Sequence, residues 1–116
     1  MNKQNLIPTD IKLLQKSRVL EVTFDDGQHF SLPCEYLRVY SPSAEVRGHG
    51  VGDGQLVTGK ENVNIIGIDP VGNYAVKLIF DDGHQTGIYS WQLLYDLGIN
   101  HEKNWLKYLK RVADSA

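Results

Sequence analysis

One cysteine, Cys34, is all the thiol this 116-residue chain contains. No disulfide can close within the chain, and one chain alone cannot build a thiolate cage around a metal. Long apolar runs are also missing. Nothing approaches the roughly 18 consecutive apolar residues of a membrane span, and Met1 to Thr9 has no apolar signal core. Charge of one sign is not in excess: the formal net charge of −2 gives no general pull toward nucleic acid or acidic lipid. These absences point to a cytoplasmic protein with no nucleic-acid partner and no membrane partner. Basic residues gather only near the end, at Lys103, Lys107, Lys110 and Arg111, where they read as the solvated face of a terminal helix.

What is present suits one folded domain over residues 1–116. At 41% hydrophobic residues the chain is too apolar for a disordered one. Its main internal feature is a weak repeat. Phe24-Asp25-Asp26-Gly27 recurs as Phe80-Asp81-Asp82-Gly83, and each copy lies between strand-like runs. Asp-Gly between such runs signals a hairpin, because glycine accepts the positive φ of a tight turn. A short strand and a helix follow each turn. The first helix begins near Pro33, suited to a helix's first turn, and the second at Ser90, suited to an N-cap.

The remaining segments fit around these units. Asp10–Leu14 and Asn62–Ile68 read as strands, and Asp69 to Asn73 as the turn after the second. Gly98 reads as the C-cap of the second helix, and Asn100 as the cap of a final helix from His101 to about Ala113. Residues 41–60 are expected to form a mobile glycine-rich loop, and ends 1–8 and 114–116 to be disordered. The expected class is α+β: about six strands in antiparallel hairpins with two to three helices, as two hairpin-then-helix units.

Chemistry-bearing residues are scattered. The glycine-rich loop lacks the Gly-Lys-Ser/Thr of a phosphate loop. His29, His49, His84 and His101 show no metal-ligand spacing. Adjacent aspartates in hairpin turns are ordinary turn formers. Ser41, Ser43 and Ser90 have no nucleophile-elbow context. Cys34 near a helix start reads as a structural thiol, with a reactive low-pKa thiol as the other reading. The aromatic residues of the helices read as core or as a partner-binding face.

Two stretches carry a family resemblance. Leu32-Pro33-Cys34-Glu35-Tyr36-Leu37-Arg38-Val39-Tyr40-Ser41-Pro42-Ser43-Ala44-Glu45-Val46 and Phe80-Asp81-Asp82-Gly83-His84-Gln85-Thr86-Gly87-Ile88-Tyr89-Ser90-Trp91 resemble the gamma-butyrobetaine hydroxylase-like N-terminal domain family. In hydroxylase members this domain precedes an iron- and 2-oxoglutarate-dependent catalytic domain and holds a structural zinc through three cysteines and a histidine. The resemblance puts the cysteine positions on Ser41, Ser43 and Val46 and the histidine on His84. Three of the four ligands are then lost, and serine and valine do not replace thiolates. The catalytic domain has no counterpart in the sequence, so no catalytic residue and no cofactor are expected.

The resemblance marks Arg38, Asp82, Gly83, His84, Tyr89 and Trp91 as family-motif residues. Asp82 and His84 would fix the second turn. Tyr89 and Trp91 would anchor the following helix, and Arg38 would pair with Asp82 or Glu35. Similar domains are fused to P-loop ATPases of the iron–sulfur carrier type. The resemblance thus implies a non-catalytic accessory or protein-interaction module linked to iron–sulfur or iron-enzyme pathways. The alternative is an iron- or zinc-binding domain built on His84 with His29, His49, Asp82 or Cys34, completed within one chain or in a dimer.

Overall fold

The computed structural model describes residues 6–42, 57–85 and 87–115. It contains two three-stranded antiparallel sheets and three helices. β1 (Pro8–Leu14), β2 (Val19–Phe24) and β3 (His29–Pro33) form one sheet in that order, and α1 (Cys34–Val39) follows. β4 (Ile65–Val71), β5 (Ala75–Phe80) and β6 (Ile88–Ser90) form the second, followed by α2 (Trp91–Ile99) and α3 (His101–Ser115). The α+β class, the six strands and the two hairpin-then-helix units agree with the sequence reading.

The central strands follow period two. Leu20, Val22 and Phe24 of β2 are buried, and the alternate residues Val19, Glu21 and Thr23 are only partly so. Val76, Leu78 and Phe80 of β5 repeat the pattern. Both sets join one core with Leu32, Tyr36, Leu37, Ile65, Tyr89 and Leu94. Alternation of this kind fits strands with one face on the core.

The repeat runs deeper than the turns. β1 and β4 each have seven residues, and β2 and β5 each have six. The register breaks between Pro8 and Asp10 in one outer hairpin and between Ile65 and Gly67 in the other, the same place in both. Each turn has a three-residue loop. Gly27 N donates to Phe24 O (3.0 Å), and Phe24 N donates to Gln28 O (2.8 Å). Gly83 N donates to Phe80 O (3.2 Å), and Phe80 N donates to His84 O (2.9 Å). Gly27 and Gly83 hold φ of 91° and 95°, the left-handed position that ends such a loop.

Several boundaries differ from expectation. β4 runs on through Asp69, Pro70 and Val71, so the turn begins only at Gly72. Pro70 is tolerated because β4 is an edge strand. Gly98 lies inside α2, whose C-cap is Asn100. Asn100 Nδ2 donates back to Asp96 O (3.0 Å), so its side chain caps the end of α2. Pro33 is the residue before α1 and not its first turn. Pro8 belongs to β1, and Asp114 and Ser115 belong to α3, where disordered ends were expected. Of the expected mobile loop, Ser41, Pro42 and residues 57–60 are described; the remainder, with His49, Ser43 and Val46, lies outside the described residues. No helix among the described residues is long and apolar enough to cross a membrane.

Candidate functional site

The two turns share a backbone but not their chemistry. In each, the second aspartate bonds the amide two residues on: Asp26 Oδ1 accepts from Gln28 N and Asp82 Oδ1 from His84 N, both at 3.0 Å. The other carboxylate oxygen reaches the helix of the opposite unit. Asp26 Oδ2 accepts from Tyr95 Oη of α2 (2.7 Å). Asp82 Oδ2 accepts from Arg38 Nε of α1 (2.9 Å) and from Lys60 Nζ (2.7 Å). The second turn is therefore the charged one, and every residue there is a candidate.

Around Asp82 the elements converge. α1 supplies Arg38 from its last turn and ends just before Ser41, which is only 5% exposed. Ser41 Oγ and His84 Nε2 lie 2.8 Å apart. The His84 ring rests against Phe80 with centroids 5.9 Å apart. Gly87 closes over this pair: a Cβ there would stand 2.6 Å from Ser41 Oγ and 3.1 Å from the Tyr89 ring. Tyr89 is fully buried, and its hydroxyl donates to Leu37 O at the end of α1 (2.6 Å). It thus braces the other unit's helix, where an anchor for its own helix was expected. Trp91 Nε1 donates to Asn73 O in the β4–β5 turn (2.9 Å).

The electrostatics follow from these contacts. Partial burial pushes the Asp82 carboxyl up. The hydrogen bonds from Lys60, the His84 amide and Arg38 outweigh it and hold Asp82 well below the ordinary carboxylate range. Burial pushes the Tyr89 hydroxyl far up, with Ser41 and Arg38 offsetting part of the rise. Tyr36, whose hydroxyl donates to Leu97 O (2.7 Å), is pushed up to about 12 by burial. Burial also raises the Cys34 thiol. Cys34 is fully buried with Sγ facing Asn64 Oδ1 (3.8 Å), so it is a structural thiol.

A serine hydroxyl 2.8 Å from an imidazole nitrogen has the spacing of an activated nucleophile. Here the hydroxyl is buried beneath Gly87, and both Asp82 oxygens are engaged, by Arg38, Lys60 and a backbone amide. The same geometry does not fit zinc. The Nε2 of His84 that would ligate an ion faces the Ser41 hydroxyl, a poor zinc ligand beside a thiolate. Among the described residues, no three His, Cys, Asp or Glu side chains gather to hold a metal. His29 bonds Thr23 (2.8 Å) and His101 stacks on Tyr36 (4.4 Å), so neither joins His84.

Sequence reasoning singled out Arg38, Asp82, Gly83 and His84, and the fold brings them to one corner. It missed Lys60 and Gly87; the pairing of Ser41 with His84 was implied only by the resemblance, which set both on ligand positions of one zinc. Lys60 lies in an irregular segment, where no periodicity could flag it. The Gly87 requirement arises only when α1 and β6 meet.

The comparisons agree with this architecture. The family model described as "Gamma-butyrobetaine hydroxylase-like, N-terminal" matches residues 11–95. One protein known from an NMR solution structure is 58% identical, with a TM-score of 0.84 over 99% of this chain and 87% of its own. A second NMR structure is 43% identical, with a TM-score of 0.80 over 94% and 86%. A crystal structure of a DUF971-family protein of unknown function from Acidithiobacillus ferrooxidans ATCC 23270 is 45% identical, with a TM-score of 0.67 over 78% and 91%. No curated protein matches the chain. With most of its length matched by the family model and close structural relatives over most of their own length, this chain belongs to the gamma-butyrobetaine hydroxylase-like N-terminal domain family.

Proposed function

We propose that the chain is a non-catalytic interaction module of the cytoplasm. The observation that carries this reading is the state of the motif corner. Asp82 is committed to Arg38 and Lys60, and the Ser41 hydroxyl is buried against His84. Those contacts join α1 to the second turn, which is bracing rather than chemistry. The single buried thiol agrees with a reducing compartment. Among partners, the resemblance supplies one candidate, a P-loop ATPase of the iron–sulfur carrier type.

Cross-linking mass spectrometry of the chain in intact cells, at native abundance, tests the reading. The expected result is one protein cross-linked in stoichiometric amount, with ester and amide hydrolysis by the purified chain no different in Ser41→Ala. Turnover that needs both Ser41 and His84 would overturn it in favour of an enzyme. So would a full equivalent of zinc or iron in tag-free protein that disappears in His84→Ala, which would favour the metal-binding alternative.

A further inference from the structure

The last helix leaves part of its surface uncovered. α3 turns Tyr108 into the domain, with Trp105 and Val112 half-buried beside it. Leu106 remains 61% exposed and Leu109 46%. At 3.6 residues per turn, Leu106, Leu109 and Ala113 fall on one stripe and Lys103, Lys107 and Lys110 on the stripe beside it. The apolar stripe continues past the α2–α3 junction to Ile99, also exposed. Between these residues lies a cleft of about 470 Å³, lined by Gly98, Ile99, His101, Glu102, Trp105 and Leu106. The lysine row is poorly compensated, since its ion pair, Lys110 to Asp114, is a 3.8 Å contact in open solvent.

We infer that this face docks an acidic amphipathic segment of a partner protein. A bulky apolar side chain of that segment enters the cleft beside Trp105 and Leu106, and its carboxylates lie along Lys103, Lys107 and Lys110. This rests on the interaction-module reading and names the chemistry of its partner. Charge complementarity selects the occupant. α3 carries four basic side chains and only two acidic ones, Glu102 and Asp114, so a second copy of the helix brings no acidic row to meet the lysines. An antiparallel copy would set lysines against lysines. An anionic bilayer is a poorer fit, because it would set negative charge against Glu102 as well as the lysines, whereas a peptide segment can place its carboxylates along the lysine row alone.

Selection of a phage-displayed random peptide library on the whole chain, followed by NMR titration with the enriched peptide, tests the inference. Enriched sequences should place Asp or Glu around Leu, Phe or Trp, and the shifts should centre on Ile99, Trp105, Leu106 and Lys107. Leu106→Glu should weaken that peptide at least about tenfold, as for a central contact residue, and the melting temperature should not move. The double variant Lys103→Glu, Lys107→Glu should weaken it comparably, with the loss shrinking in high salt. No enrichment, or enrichment without acidic bias, overturns the inference. Shifts centred on the Arg38–Asp82 corner overturn it while leaving the interaction-module reading standing. Two further results count against it as well. One is tighter binding to phosphatidylglycerol-containing vesicles than to the peptide. The other is a concentration-dependent dimer in sedimentation that Leu106→Glu abolishes.

Discussion

Asp82 is one carboxylate holding two cations and an amide, from three separate parts of the chain. Removing its charge leaves Arg38 and Lys60 facing each other at a half-buried corner. Asp82→Asn should cost about 1–3 kcal/mol, the range for a charged hydrogen bond lost together with its partner's compensation. Its folded pKa lies below the unfolded value, so its contribution is complete above about pH 4, the unfolded aspartate value. That contribution is lost as pH falls through the lower folded value. Urea midpoints measured from neutral to strongly acidic pH should therefore fall more steeply for the unsubstituted protein than for Asp82→Asn. Parallel curves would mean that the carboxylate is not held as described. Tyr89 offers a second residue-scale test. Its hydroxyl satisfies Leu37 O, a carbonyl at the C-terminal end of α1. Tyr89→Phe keeps the ring and strands that carbonyl in the core, at a cost of about 1–3 kcal/mol. Guanidinium denaturation would measure it, and a loss well under the bottom of that range would show that water replaces the hydroxyl.

At the scale of elements, Gly98 sets two effects against each other. Within an exposed helix, Gly→Ala gains about 1 kcal/mol. At this position, however, a Cβ would stand 2.4 to 2.6 Å from three atoms of the Phe30 ring. A ring packed between Phe24 and Tyr95 has little room to retreat, so overpacking of about 1–3 kcal/mol dominates. Gly98→Ala is expected to lower the thermal midpoint, and the double variant Phe30→Leu, Gly98→Ala to recover part of it. A stabilised single variant would restore Gly98 to the cap role its sequence context suggests. This element shows what was legible and what was not. Local signals placed the strands, the Asp-Gly turns and the Ser90 cap, because each depends on residues close in sequence. Gly98 looks like a helix stop for the same reason, but its function comes from a ring 68 positions away in β3, which no local pattern reports. The candidate corner divides likewise. The Asp82-Gly83-His84 turn was readable, whereas Lys60 and the Ser41 hydroxyl reach it only through tertiary packing.

For the whole molecule, the repeated units do not sit side by side as separate bodies. The turn of each binds the helix of the other, through Asp26 to Tyr95 and Asp82 to Arg38. Two buried tyrosines do the same work on the backbone: Tyr36 Oη donates to Leu97 O, and Tyr89 Oη to Leu37 O. Asn64 adds a link between the sheets, donating to Gln15 O (3.0 Å). Each half therefore has its polar partners and much of its apolar face in the other. A half this short is also near the size below which one core rarely suffices. Cutting the chain between residues 42 and 57 breaks none of these contacts. Each fragment alone should show no cooperative thermal unfolding, and an equimolar mixture should regain it at a concentration-dependent midpoint. Cooperative unfolding of either fragment by itself would sink this account. The reciprocal contacts would then join two independently stable units, and the charged corner at Asp82 would be an interface rather than part of the core's support.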